Sequence, residues 1–339
     1  MYGVYGQLGI PAGRHSRVLG VGSYRPRREV GNREVCTWID STEEWIESRT
    51  GIRNRRIAAA DETLLAMAVA AGRQALAYAG VGPEAVDCVV VSTMTNFVHT
   101  PPLSIAVAHA LGAVSAGGFD LSAGCSGFCH ALALAGDTVS SGGSRHVLAI
   151  AVERMTDVVD MSERRLAFLF GDGAGAALIG PSEQPGIAPV VRGSDGTGHD
   201  SLRMSTSWDQ YAADPSVGRP VLEMDGRRVF RWTVENVVPA ARLALERAGI
   251  KAADLVAFIP HQANLRIVEV LADRLELPDH VVVSRDGAES GNASSASVPM
   301  ALDRVVRSGA VPGGGPALVM GFGSGFSYAG QTVLLPASP

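Results

Sequence analysis

Apolar positions along the chain follow two alternating patterns. Short strand-like runs occur at Val18–Gly22, Gly117–Leu121, His146–Val152, Gly175–Ile179, Val281–Ser284 and Ala317–Gly321, most of them rich in valine, isoleucine and alanine. These runs predict the strands of an α/β fold. Between them lie stretches with apolar residues at helical spacing, so the chain is expected to build layered α/β units. One phrase recurs. ALAYAGVGPEAVDCVVVST from Ala75 and ALERAGIKAADLVAFIPHQ from Ala244 each read as a helix end, a capping glycine, a turn with aspartate and a β-branched or apolar run. Gly80 and Gly249 stand half a chain apart, which predicts an internal duplication. Val191–Asp214 is the least regular stretch and is expected to carry the crossing between the halves.

Size and composition narrow the class. The chain has 339 residues, enough for two domains or one large duplicated one. With 46% hydrophobic and 19% charged residues it is globular rather than disordered. The net charge is −5 with no long basic block, which argues against a nucleic-acid partner. No apolar run reaches the roughly 18 residues that span a bilayer, so no membrane segment is expected. The start lacks the charged and apolar regions of a secretion signal. Residues 1–16 are expected to form an extension, and the protein to be cytoplasmic. Lys251 is the only lysine and sits in a turn, which all but excludes Schiff-base chemistry. Cys36, Cys88, Cys125 and Cys129 form no C-x-x-C pair, so neither a metal site nor a disulfide is expected.

Three segments carry candidate chemistry. In GFDLSAGCSGFCHALALAGDTV a short strand runs through small residues into an alanine-rich helix, placing Cys125 at a strand-to-helix elbow. A helix N-terminus lowers a thiol pKa, and small neighbours leave backbone N–H groups open to a substrate carbonyl. A packed structural cysteine is the competing reading. Cys129, one turn on, reads as packing, and His130 points elsewhere. In IPHQANLR, His261 follows a strand at its C-terminal end, where α/β clefts form. Asn292, in ESGNASSAS, is either a site residue or a helix N-cap.

These segments resemble the Cys, His and Asn boxes of β-ketoacyl-acyl carrier protein synthase III. The resemblance rests on DLSAGCSGF around Cys125, PHQAN around His261 and GNAS around Asn292. EW…TGIR from Glu44, FGDGAGA from Phe170 and GFGSGF from Gly321 support it, in family order over roughly residues 17–335. GVGSYRPRREV and STMTNFVHTPP resemble the priming ketosynthases of bacterial aromatic (type II) polyketide pathways. The resemblance implies a thiolase fold: two βαβαβαββ halves, 17–185 bearing the cysteine and 186–339 bearing histidine and asparagine, stacked in five layers α-β-α-β-α. A homodimer is the usual assembly of that family.

The same resemblance implies the chemistry. Cys125 takes an acyl starter from acyl-CoA, then condenses it decarboxylatively with malonyl-acyl carrier protein. The backbone N–H groups of Cys125 and the Gly323–Ser324 turn form the oxyanion hole. His261 and Asn292 hydrogen-bond the malonyl thioester carbonyl as it becomes an enolate. No cofactor is expected, coenzyme A entering as part of the substrate. Trp45 and Arg164 would sandwich its adenine, Arg49 would meet phosphate, and Phe230 and Asn264 match the pantetheine tunnel. Arg266 would dock the acidic carrier protein, with Arg227, Arg228 and Arg231 extending the patch. Arg53, Arg55 and Arg56 read as a solvated loop. Thr100 stands where a bulky aromatic crosses the family dimer into the acyl pocket. That implies room for a non-acetate starter, unless Met94 refills it. Ser324 replaces a common glycine and Ala293 a common threonine. The alternatives are a fatty-acid-type synthase III using acetyl-CoA and a non-condensing acyltransferase. A catalytically dead partner subunit and a cysteine hydrolase fit less well. FGDGAGA lacks the order of a dinucleotide site and GK[ST] is absent, so neither NAD nor ATP is implied.

Overall fold

The computed structural model describes residues 15–338. In chain order it runs β1 (His15–Tyr24), β2 (Arg28–Gly31), α1 (Asn32–Val35), α2 (Glu43–Thr50), β3 (Asn54–Ile57), α3 (Leu64–Ala79), β4 (Cys88–Ser92), α4 (Leu103–Leu111), β5 (Gly117–Leu121), α5 (Gly127–Ser140), β6 (Val147–Glu153) and β7 (Gly173–Ser182). It continues with β8 (Val191–Ser194), β9 (Leu202–Met204), α6 (Trp208–Ala213), β10 (Leu222–Met224), α7 (Gly226–Ala248), β11 (Ala257–Pro260), α8 (Leu265–Arg274), β12 (Val282–Val283), α9 (Gly287–Ser290), α10 (Ser297–Arg307), β13 (Gly315–Gly323) and β14 (Ser327–Leu335).

Ten of these strands form two five-stranded sheets, in the orders β5-β4-β6-β7-β1 and β12-β11-β13-β14-β8. In each order the first two pairings are parallel and the last two antiparallel. The sheets are therefore topological copies, and the repeated phrase marks equivalent positions. Both α3 and α7 end in left-handed glycines, Gly80 at φ 64° and Gly249 at φ 69°, just before β4 and β11.

Alternate residues on the central strands face opposite layers. Val89 and Val91 pack with α3 and α4, while Val90 joins the cluster of α5 and α10. Leu318, Met320 and Phe322 pack with α7 and α8, while Ala317 and Val319 turn to the same central helices. The layers are thus α3/α4, sheet, α5/α10, sheet, α7/α8, the five-layered thiolase arrangement. Burial on both faces explains why these strands read as continuous apolar runs. The outer helices approach closely: a Cβ on Gly22 would lie 2.3 Å from the Ala71 carbonyl oxygen on α3.

Three expectations need correction. Residues 1–14 lie outside the described residues, but His15 and Ser16, assigned to the extension, already pair in β1. The stretch 191–214 is not a plain crossing loop. It holds the edge strand β8, the strand β9, which pairs antiparallel with β10, and α6. Strand Val281–Ser284 shrinks to the two residues of β12.

Candidate active site

Two equivalent turns meet at the centre of the molecule. After β5, the 3-10 turn Gly124–Ser126 leads into α5 and carries Cys125, which is 6% exposed. Before α10, the 3-10 turn Ser294–Ala296 holds the matching place in the other half. They touch: Ser294 Oγ lies 3.4 Å from Cys125 Sγ. β11 delivers His261 at its C-terminal end, and the His261 N–H donates to the Met320 carbonyl. Its ring is buried edge-on against Phe322, with Nδ1 2.7 Å from Ser297 Oγ.

Asn292 is not the cap of α10, whose N-cap position is Ala296. Its Oδ1 accepts the Ser294 N–H at 2.8 Å, and its Nδ2 donates to the Ala263 carbonyl at 3.4 Å. With Oδ1 so occupied, the amide offers its NH₂ as donor. Its backbone is held by Leu169 and Gly171.

A cavity of about 1050 Å³ joins these groups to the surface. Trp45, Arg49, Phe230, Asn264, Met94, Cys125, His261, Asn292, Gly323 and Ser324 all line it. The Arg164 guanidinium sits 5.5 Å above the Trp45 ring. A base stacked between them needs two gaps of roughly 3.5 Å, so the arginine must move outward. Asn264 is the N-cap of α8, accepting the Arg266 N–H at 2.8 Å, and Arg266 itself is exposed. Thr100 is exposed and does not line its own chain's cavity.

Burial dominates the electrostatics. It pushes the Cys125 thiol up to about 11, against pulls downward from the Ser294 hydroxyl and from the backbone of Cys125 and Ser324; Glu153 adds a push upward. The lowering expected from the helix N-terminus is therefore outweighed, and the resting thiol is neutral at pH 7. Burial holds His261 down at about 3, so its imidazole is neutral as well. Buried Cys129 reaches about 12. Glu153, fully buried, is pushed up to about 7 by desolvation. Its carboxyl accepts from Thr93, the Met94 N–H, Thr95 and Ser295.

Other readings are corrected. Arg55 is not solvated: it is fully buried, donating to the carbonyls of Val30 and Phe168 and to Asn32. It lies on β3, which pairs antiparallel with β2, and burial lowers it to about 10. Arg53 and Arg56 pair with Glu289 and Glu29. Arg228 is engaged with Asp200. The sequence shows no sign of the wall formed by Leu202, Leu222 and Met224 beside Phe168, because strands as short as β9 and β10 leave no periodic signal. Ser294 lay inside a recognised box, yet serine among small residues points to no role by itself.

The model of 3-oxoacyl-[acyl-carrier-protein] synthase III matches residues 119–196, and that of its C-terminal region residues 245–335. A β-ketoacyl-[acyl-carrier-protein] synthase III of Streptomyces lividans is 72% identical over 332 residues, covering 98% of each chain. The chain belongs to the synthase III family. It is accordingly a condensing enzyme of the acyltransferase class. The crystal structure of the priming β-ketosynthase of the R1128 polyketide biosynthetic pathway superposes on this synthase III with a TM-score of 0.97 at 72% identity, covering 98% of this chain and all of that one. The 3-oxoacyl-[acyl-carrier-protein] synthase III of Aquifex aeolicus matches at 0.86 and 33% identity, over 94% of this chain and 99% of that one. The synthase III fold expected from the sequence is thus the fold observed. Among the described residues no helix is long and apolar enough to cross a membrane.

Proposed function

We propose that this synthase III primes an aromatic polyketide pathway, loading a starter larger than acetyl and extending it once with malonyl-acyl carrier protein. The observation that carries the reading is the likeness to the R1128 priming enzyme over essentially the whole chain. In the first half-reaction Cys125 attacks acyl-CoA and releases coenzyme A. The N–H groups of Cys125 and Ser324 hold the oxyanion, with Gly323 leaving the space beside the sulfur. Trp45, Arg164 and Arg49 grip the nucleotide end of coenzyme A, and Phe230 and Asn264 flank the pantetheine arm.

In the second half-reaction His261 and Asn292 donate to the malonyl thioester oxygen. A neutral imidazole with Nδ1 engaged by Ser297 can present Nε2–H as that donor. Loss of carbon dioxide then leaves an enolate that attacks the acyl-Cys125 carbonyl; collapse breaks the C–S bond, frees Cys125 as the thiolate, which takes up a proton, and leaves a 3-ketoacyl-carrier protein, with no metal or redox group required. Arg266 meets the acidic carrier at the cavity mouth.

The two halves divide near residue 186, and the enzyme works as a cytoplasmic homodimer. Edge strand β5 is unpaired on one side, and Phe97, Val98, Ile105 and Phe119 are exposed on this chain. Thr100 lies in the same exposed region, suited to reach a partner's acyl pocket. There a threonine leaves room that an aromatic ring would fill, and each methylene buried is worth about 0.8 kcal/mol. The test is mass spectrometry of the acyl-enzyme after exposure to an equimolar mixture of acyl-CoAs, with and without malonyl-carrier protein. Propionyl or longer groups on Cys125, passing into 3-ketoacyl-carrier protein, support the proposal. Dominant acetyl loading, or a Thr100→Phe variant with unchanged preference, overturns the starter assignment.

A further inference from the structure

Ser294 occupies a position whose backbone and side chain are both unusual. It is fully buried, and its φ of 47° lies in the left-handed region that non-glycine residues rarely adopt. Its N–H is committed to Asn292 Oδ1. Its hydroxyl has two hydrogen-bond partners among the described residues, and both are sulfur atoms: Cys125 Sγ at 3.4 Å and Met94 Sδ at 3.8 Å. A thioether is a weak acceptor and a neutral thiol scarcely better. A thiolate is a charged acceptor, for which a hydrogen bond is considerably stronger. The hydroxyl therefore gains most when Cys125 ionises.

We propose that Ser294 is a further catalytic residue of the acyl-loading step, donating its hydroxyl hydrogen to the Cys125 sulfur as negative charge develops there. This deepens the reading of Cys125 as the acyl carrier and rests on it. In loading, the Cys125 sulfur gives up its proton and forms a bond to the acyl carbon, while the carbonyl π pair moves to oxygen. Collapse restores the carbonyl and expels the coenzyme A thiolate, which takes up the proton. The Ser294 bond lowers the cost of the sulfur's charge at the start of that sequence. Within the thioester the sulfur is a poor acceptor, and charge returns to it when condensation expels Cys125 as a thiolate; malonyl decarboxylation, which leaves the sulfur's charge unchanged, gains nothing from the bond. The bond acts in a site where the buried Glu153 carboxyl opposes sulfur ionisation. The Ser294 hydroxyl and the backbone of Cys125 and Ser324 supply the pull toward thiolate. The left-handed turn aims both groups at once, N–H toward Asn292 and O–H toward Cys125.

The variants are Ser294→Ala and Ser294→Gly. Glycine takes the left-handed conformation without strain, so it removes the hydroxyl from a backbone at least as well suited to the turn. Both keep the N–H that holds Asn292. Two rates are read from about pH 6 to 9: alkylation of Cys125 by iodoacetamide, mapped by peptide mass, and loading from acyl-CoA. Decarboxylation of malonyl-carrier protein is measured in parallel in a Cys125→Ala background. For both variants we expect the log-linear alkylation and loading profiles to fall roughly tenfold at every pH, the worth of a hydrogen bond to a charged group. The loss in loading should exceed any loss in decarboxylation at least fivefold. Profiles superimposable on the wild type, or equal losses in loading and in malonyl decarboxylation, overturn the assignment. A wild-type enzyme that carries its acyl group elsewhere than Cys125 overturns the parent reading instead.

Discussion

Replacing Gly323 by alanine isolates the fit between the end of β13 and the nucleophile. A Cβ at this position would lie 2.8 Å from Cys125 Cβ and 3.0 Å from its Sγ. Non-bonded carbon atoms rest at roughly 3.5–4.0 Å, so the cysteine must retreat by about 0.7 Å or more. The backbone adds no strain, because φ at Gly323 is 168°, an extended value open to any residue. The Cys125 side chain cannot yield freely, since Ser294 abuts its sulfur and its backbone leads directly into α5. A displacement near 1 Å at a reacting atom costs on the order of 10²-fold in rate. Overpacking costs about 1–3 kcal/mol in stability. Acyl-enzyme formation, timed by intact-protein mass spectrometry, should therefore slow about 100-fold in Gly323→Ala, with a drop of a few degrees in Tm. The control is Gly80→Ala, left-handed at φ 64° with nothing within 4 Å of the new Cβ. It should lose about 1 kcal/mol of stability and load normally. Loading by Gly323→Ala within threefold of wild type would refute the packing argument.

Three further expectations follow from the buried ionisable groups and the cavity mouth. With the Cys125 thiol near 11, loading should rise about tenfold per pH unit between roughly pH 6 and 9. Decarboxylation in Cys125→Ala should stay flat there, because His261 is neutral above about 3; a flat loading profile in quenched-flow measurements contradicts this. Glu153, raised to about 7 from an ordinary 4.5, binds its proton more tightly folded than unfolded, so wild-type stability falls as pH rises from about 4.5 to about 7. Glu153→Gln lacks that loss, and by melting its advantage should grow from pH 5 to pH 8 toward about 3 kcal/mol; a pH-independent difference counts against a carboxyl held neutral. Arg266→Glu should weaken use of malonyl-carrier protein, through its KM, far more than loading from acyl-CoA; equal losses in both half-reactions would place Arg266 in the coenzyme A site.

What the sequence revealed and what it hid differ by how local the determinant is. The paired phrases ending at Gly80 and Gly249 are local, and they mark equivalent helix ends in the two sheets. The elbow at Cys125 and the strand end before His261 are also local, set by a few small residues and a proline. Arg55 was misread because nothing nearby in the chain shows that Phe168 lends it a carbonyl. The thiol's neutrality was hidden likewise: the helix start is local, whereas burial between two sheets is a property of the assembled layers. Ser294 needed the other half of the molecule before its hydroxyl had an acceptor. The wall from β9 and β10 came from three-residue strands in a stretch that reads as loop, below the length at which a period of two can be seen.

The division of labour between Cys125 and the pair His261 and Asn292 is most directly tested by running the two half-reactions on the same three variants. Acyl loading is read by intact mass, and decarboxylation by release of labelled carbon dioxide from malonyl-carrier protein. Cys125→Ala is expected to take up no acyl group while still releasing carbon dioxide. His261→Ala and Asn292→Ala are expected to load the acyl group yet lose condensation and decarboxylation by at least about 100-fold, the scale of losing one preorganised oxyanion donor. Near wild-type condensation by either donor variant, or acyl uptake by Cys125→Ala, would contradict the account.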